Sequence, residues 1–95
     1  MSDILTHAIA ALSARLKSGF DGTARFEIAG EGSIMVDGNG VRAGNEAADV
    51  TMIATAETFQ GIMEGDVNPT MAFMSGKLKI EGDMGMAMKL GSALS

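Results

Sequence analysis

The spacing of apolar positions changes several times along the chain, and each change marks an element. From Asp3 to Ser18 the apolar residues fall at Leu5, Ala8, Ile9, Leu12 and Leu16. That i, i+3, i+4, i+7 spacing predicts an amphipathic helix. Ser2 or Asp3 is placed to cap its start, and Gly19 to end it with a left-handed residue. The period then drops to two. In GTARFEIAG, Ala24, Phe26 and Ile28 share one face of a strand while Thr23, Arg25 and Glu27 share the other. A turn at Gly30-Glu31-Gly32 leads into SIMVD, with Ile34 and Val36 inward, and Asp37-Gly38-Asn39-Gly40 turns the chain into a short strand at Val41–Ala43. These three strands predict an antiparallel meander with one buried and one wet face.

After the polar loop Gly44–Asp49, VTMIAT reads as a fourth strand. Thr55 then caps a helix with Ala56, Phe59, Ile62 and Met63 on its apolar face, ending at Gly65. Asn68-Pro69 is an N-cap followed by a proline at the first helical position, so a short helix runs to about Ser75 and stops at Gly76. Lys77–Glu81 alternates again, and Gly82-Asp83 opens a last helix, Met84–Leu94. The order α–β–β–β–β–α–α–β–α predicts one α+β domain over residues 1–95, with a mainly antiparallel sheet and its helices on one face.

The last helix carries more apolar surface than one packing face uses. On a wheel only Gly85, Lys89 and Ser92 form a polar stripe. Met84, Met86, Ala87, Met88, Leu90, Ala93 and Leu94 spread over roughly 220° at 100° per residue. Packing on one sheet face occupies closer to half that arc. A 95-residue chain buries only roughly 60–65% of its unfolded surface, so the surplus arc is expected to meet a ligand, a partner subunit or a membrane.

Composition sharpens this picture. Aromatic residues are 4% of the chain, all four of them phenylalanine, against nine methionines. Methionine is unbranched and polarizable, and it fills space whose shape varies. The absence of cysteine removes disulfides, thiolate nucleophiles and sulfur metal sites, and fits a cytoplasmic location. The opening MSDILTHAIAAL has Asp3 where a secretory signal has a basic residue, and its apolar positions are spaced rather than continuous. A net charge of −5 argues against nucleic acid and against broad affinity for anionic membranes. Lys77, Lys79 and Lys89 form a local exception, set against Glu81 and Asp83.

Catalytic chemistry is hard to assemble from these residues. The single histidine, His7, lies outside the Leu5–Leu16 stripe and reads as solvated. With no cysteine, a zinc site would need carboxylates or water at three positions, and no metal is expected. Asp37-Gly38-Asn39 opens like a calcium loop, but Val41 and Arg42 stand where the loop needs an oxygen ligand and a glycine. Gly38-x-Gly40-x-x-Ala43 follows a strand, yet no helix follows it, so it is a hairpin turn and not a dinucleotide site. Backbone amides at Gly82–Gly85 open a helix, but Asp83 takes them as its N-cap. No cofactor and no enzymatic activity are expected.

The stretch AFMSGKLKIEGDMGMAMKL (Ala72–Leu90), preceded by Gly65-Asp66-Val67-Asn68-Pro69, closely resembles the C-terminal signature of the sterol-carrier-protein type-2 domain family, the nonspecific lipid-transfer proteins. The order of elements agrees with that family along the chain. The resemblance implies a five-stranded sheet covered by helices with an apolar tunnel between them. It also implies a carrier of fatty acids, acyl-CoAs, phospholipids or sterols that needs no catalytic residue. Animal members often have glutamine beside the tunnel where this chain has Ser75. Stand-alone eukaryotic members end in a peroxisomal tripeptide, whereas this chain ends Ser92-Ala93-Leu94-Ser95, which reads as a bacterial, cytoplasmic member.

The residues expected to line the tunnel are Phe26, Val36, Met52, Phe59 and Met63 from the first part of the chain. From the last third they are Phe73, Met74, Met84, Met88 and Leu90. Met86 and Ala93 flank the arc and are placed for a partner or a transient membrane contact. The alternative reading is an interaction module whose arc forms a homodimer interface, or an accessory subunit of a lipid-metabolising enzyme.

Overall fold

The computed structural model describes residues 3–16 and 20–94. Four helices and five strands follow one another as α1 (Asp3–Arg15), β1 (Ala24–Ala29), β2 (Gly32–Asp37), β3 (Gly40–Ala43), β4 (Val50–Thr55), α2 (Ala56–Glu64), α3 (Pro69–Met74), β5 (Leu78–Gly82) and α4 (Met84–Leu94). The expected caps at Ser2 and Gly19 lie outside the described residues. The other helix boundaries follow their sequence signals. The Thr55 hydroxyl accepts from the Thr58 amide at 3.2 Å, and Gly65 ends α2 in the left-handed region at φ 84°. The Asn68 side chain accepts from the Thr70 and Met71 amides, with Pro69 as the first helical residue of α3. Asp83 Oδ1 accepts from the Met86 amide at the start of α4.

The sheet order is β3-β2-β1-β4-β5. The predicted meander β1–β2–β3 is present, and β4 then returns beside β1 in parallel, with Phe26 opposite Met52, before β5 closes the edge antiparallel. Register puts Ala24, Phe26, Ile28, Ile34, Val36, Val50, Met52, Ala54 and Leu78 on one face, and all of them are buried. Leu5, Ala8 and Leu12 of α1, Phe59 and Ile62 of α2, Ala72 of α3, and Ala87 and Leu90 of α4 complete the same apolar cluster. The four helices therefore cover a single sheet face, as the alternation in the strands requires.

The opposite face is less wet than the alternation alone implies. Met35 points there and is fully buried. The 44–49 loop folds across this face: the Glu46 amide donates to Met35 Sδ, and a Cβ on Gly44 would stand 2.9 Å from Met35 Cγ. Arg25 donates to Asn45 Oδ1 and the Glu46 carbonyl, and Arg42 bridges Asp37 and Glu46 at 2.8 and 3.1 Å. The bond from Arg42 holds the Asp37 carboxyl below its ordinary range, helped by the Asn39 amide, and Asp37 raises Arg42 in turn.

Candidate functional site

Strand β5 at the sheet edge, helix α3 before it and helix α4 after it enclose an apolar groove of about 360 Å³. Its floor is Met52 from β4 with Leu78 and Ile80 from β5. Those three share a face by strand period, and register sets Ile80 opposite Met52. One wall is Pro69, Thr70, Phe73 and Met74 of α3; the other is Met84, Ala87, Met88, Gly91 and Ser92 of α4. Their spacing is i, i+3, i+4, i+7, i+8, one side of a helix. Gly82 makes the sharp join that swings α4 back over the sheet. It has φ 98°, and a Cβ there would meet the Asp49 carbonyl oxygen at 2.3 Å.

The groove contains no charged side chain among its lining residues. Thr70 and Ser92 are its polar side chains, so a guest would meet mostly methyl, methylene and thioether groups. Ala87 is buried while Met84, Met88, Phe73 and Met74 are exposed along the rim. The surplus apolar arc of α4 thus divides: Ala87 and Leu90 face the core, and Met84 and Met88 face the groove and solvent. The space is open along this rim and is a groove in this structure rather than an enclosed tunnel.

A second, much smaller void of about 10 Å³ is bounded by Phe26, Met52, Ala54, Phe59, Ile62 and Leu78 among others. It shares Met52, Pro69 and Leu78 with the groove. The Phe26 and Phe59 rings stand against each other here, centroids 5.3 Å apart at 53°. Phe59 also borders a separate groove of about 300 Å³ between α1 and α2, with Ile4, His7, Ala8, Ala11 and Met63. Arg15 ties α1 to α2 there through the Met63 carbonyl.

Of the ten expected lining residues, the structure gathers Met52, Phe73, Met74, Met84 and Met88 around the α3–α4 groove. Phe26 and Phe59 wall the smaller void, and Met63 belongs to the α1–α2 groove. Val36 and Leu90 line none of these spaces; both are fully buried in the core. Val36 sits on β2, two strands from Met52, and Leu90 lies on the side of α4 turned to the sheet. Pro69, Thr70, Leu78, Ile80, Ala87, Gly91 and Ser92 line the groove without having been singled out. Part of their signal was present: Leu78 and Ile80 alternate with two lysines and Ala87 belongs to the apolar arc, whereas Ser92 reads as part of the polar stripe. His7 is exposed at the mouth of the α1–α2 groove. No group of three or more His, Asp or Glu among the described residues is placed to hold a metal ion.

The site is an uncharged apolar groove at the edge of a mainly antiparallel sheet whose helices cover one face. The SCP-2 sterol transfer family model matches residues 3–95, and the chain belongs to that family. Hydroxysteroid dehydrogenase-like protein 2 of Xenopus laevis is 50% identical over 60 residues, which cover 61% of this chain and 14% of that protein. The chain spans between 10% and 18% of the length of the dehydrogenase-like relatives it matches. The solution structure of the sterol carrier protein domain 2 of Helicoverpa armigera superposes with a TM-score of 0.74 at 28% identity, covering 96% of this chain and 84% of that one. Sterol carrier protein 2 of Aedes aegypti, solved in complex with palmitate, gives a TM-score of 0.80 at 18% identity, covering 100% and 97%. The domain is a lipid-carrier fold.

Proposed function

We propose that this chain holds the acyl chain of a lipid in the α3–α4 groove and carries it shielded from water, without chemistry on it. The observation that supports this most directly is the groove itself: about 360 Å³ of space with no charged lining residue, on the elements whose sequence carries the family signature. Each methylene moved from water into it contributes about 0.8 kcal/mol. A chain of a dozen or so methylenes offers enough to offset the cost of association, and no catalytic group is called on. Methionines at Met74, Met84 and Met88 adapt to guests of different outline, which fits a carrier of fatty acid, acyl-CoA, phospholipid or sterol-like molecules with little discrimination. The palmitate complex of the Aedes aegypti protein supports fatty acid as the first guest to test. The cytoplasm remains the proposed location.

Substituting Met88 tests the assignment. It lines the groove and is 73% exposed, so Met88→Glu leaves the fold and stability almost unchanged, within about 0.5 kcal/mol. A carboxylate at that position would be desolvated by a bound chain, and affinity for a fluorescent fatty acid is expected to fall at least tenfold. Unchanged affinity in a normally folded variant overturns the groove assignment. A second reading, delivery of a bound lipid to a dehydrogenase, draws on the match to a short stretch of dehydrogenase-like proteins. In that case the same groove serves, and a partner enzyme consumes its contents.

A further inference from the structure

Burial divides the methionines of the described residues into two sets. Met35, Met52 and Met63 are buried, and Met86 is half-buried against the core. Met71, Met74, Met84 and Met88 are open, at 65%, 76%, 46% and 73% exposure. All four open thioethers lie on α3 and α4, and Met74, Met84 and Met88 line the groove between those helices. Met71 does not line it, although it stands one helical turn from Met74 on the same helix. The chain has no cysteine, so methionine is the sulfur that an oxidant meets.

The three groove thioethers therefore serve two surroundings. In the empty groove they face water and any peroxide it carries; in the filled groove they lie against the acyl chain. Hydrogen peroxide acts on such a sulfur by oxygen transfer. The sulfur lone pair attacks one peroxide oxygen, an S–O bond forms, the O–O bond breaks and the other oxygen leaves as water. Sulfur is oxidised by two electrons and the peroxide is reduced by two. A flexible apolar side chain becomes a polar, chiral sulfoxide. A guest lying over it strips water from a strong acceptor, and the lining residues offer only the Thr70 and Ser92 hydroxyls as side-chain donors in return. Met52, on the floor of the same groove, is buried and out of reach of the oxidant.

We propose that Met74, Met84 and Met88 form a modification site for peroxides, and that their conversion to sulfoxides empties the groove of lipid. The proposal rests on the acyl-carrying reading, and the experiment separates the two. A bound chain covers these three sulfurs and leaves Met71 open, so occupancy and oxidation oppose each other. The full chain is treated with hydrogen peroxide, with and without saturating palmitate. Peptide mass spectrometry reads each methionine, a fluorescent fatty-acid titration reads affinity, and thermal unfolding followed by circular dichroism reads the fold. Oxygen is expected on Met71, Met74, Met84 and Met88 and absent from Met35 and Met52. Palmitate slows oxidation at Met74, Met84 and Met88 and leaves that at Met71 unchanged. Fatty-acid affinity falls at least about tenfold while the fold is retained. It returns on treatment with methionine sulfoxide reductases and dithiothreitol, the oxygen leaving as water while the dithiol becomes a disulfide. The triple variant Met74→Leu, Met84→Leu, Met88→Leu keeps side-chain volume without sulfur and holds its own starting affinity through the peroxide step, whereas Met71→Leu loses affinity as the wild type does. Undiminished affinity after oxidation of the three groove methionines overturns the proposal and leaves the carrier reading standing. An equal loss in the triple variant does the same, and so does oxidation of Met35 and Met52 in step with the loss, which marks unfolding. Untreated protein that takes up no palmitate overturns the carrier reading and the proposal together.

Discussion

Filling the groove from its own wall separates binding from folding more cleanly than any damaging mutation. Gly91 lies on the groove side of α4, and the nearest atom to a Cβ built there is Pro69 Cβ at 3.8 Å, an ordinary contact. Gly91→Leu therefore places its Cβ without a clash and starts the side chain from the wall of the groove that Gly91 lines. It also removes a glycine from a helix interior, which is worth close to 1 kcal/mol. For a domain of this size that raises Tm by about 4–8 °C. The same isobutyl group occupies volume that a bound acyl chain needs. If three methylenes are displaced, the loss is about 2.4 kcal/mol, or roughly fiftyfold in Kd. Thermal unfolding and a fluorescent fatty-acid titration on the same preparation read both effects. A variant that is more stable and binds at least tenfold more weakly supports the groove. Undiminished affinity would refute the reasoning about where the ligand sits, and a lowered Tm would refute the reading of open space beside Gly91.

Other substitutions probe how the site is held. Gly82→Ala places a Cβ 2.3 Å from the Asp49 carbonyl oxygen at φ 98° and is expected to cost at least about 2 kcal/mol, while Gly30→Ala, at φ 80° with nothing within 4 Å, costs only its backbone strain of about 1 kcal/mol. Urea unfolding of the pair checks this, and equal losses would contradict the close approach at Gly82. On the back of the sheet, Arg42→Gln removes the main cause of the lowered Asp37 carboxyl, whose pKa then rises toward the ordinary carboxylate range. The sign follows from linkage: a depressed folded pKa contributes stability above the unfolded value and loses it as pH falls through the folded value. The variant accordingly loses less stability on acidification, and carboxyl NMR titration of Asp37 that shows no rise would contradict the pairing.

Most of the architecture was legible because each element carries its own local signal. Asn68-Pro69, Thr55 and Asp83 announced helix starts that need side-chain acceptors, and the two-residue alternation of Ala24, Phe26 and Ile28 announced a strand with one buried face. The parallel pairing of β1 with β4 had no such signal, because both strands read as half-buried and only the assembled sheet decides which neighbours they take. Met35 was misleading for a related reason: its burial comes from the 44–49 loop, a non-local cover that alternation cannot report. The groove was half legible. The surplus arc of α4 identified Met84 and Met88, since a helix wheel shows apolar surface beyond what one sheet face can take. It could not separate them from Leu90, which shares the arc but turns to the sheet, nor place Val36, whose distance from the groove depends on strand order. Gly91 and Ser92 escaped notice because a groove is lined as much by small residues that leave room as by large ones that touch.

The central claim is that a lipid chain occupies the α3–α4 groove. Native mass spectrometry of the protein incubated with micromolar palmitate tests it most directly, with Gly91→Leu and Met88→Glu run beside the wild type. The account predicts a wild-type species heavier by one fatty acid and both variants predominantly at the unliganded mass. Wild-type protein that stays unliganded with palmitate and with palmitoyl-CoA would contradict it, as would variants that retain the adduct in full.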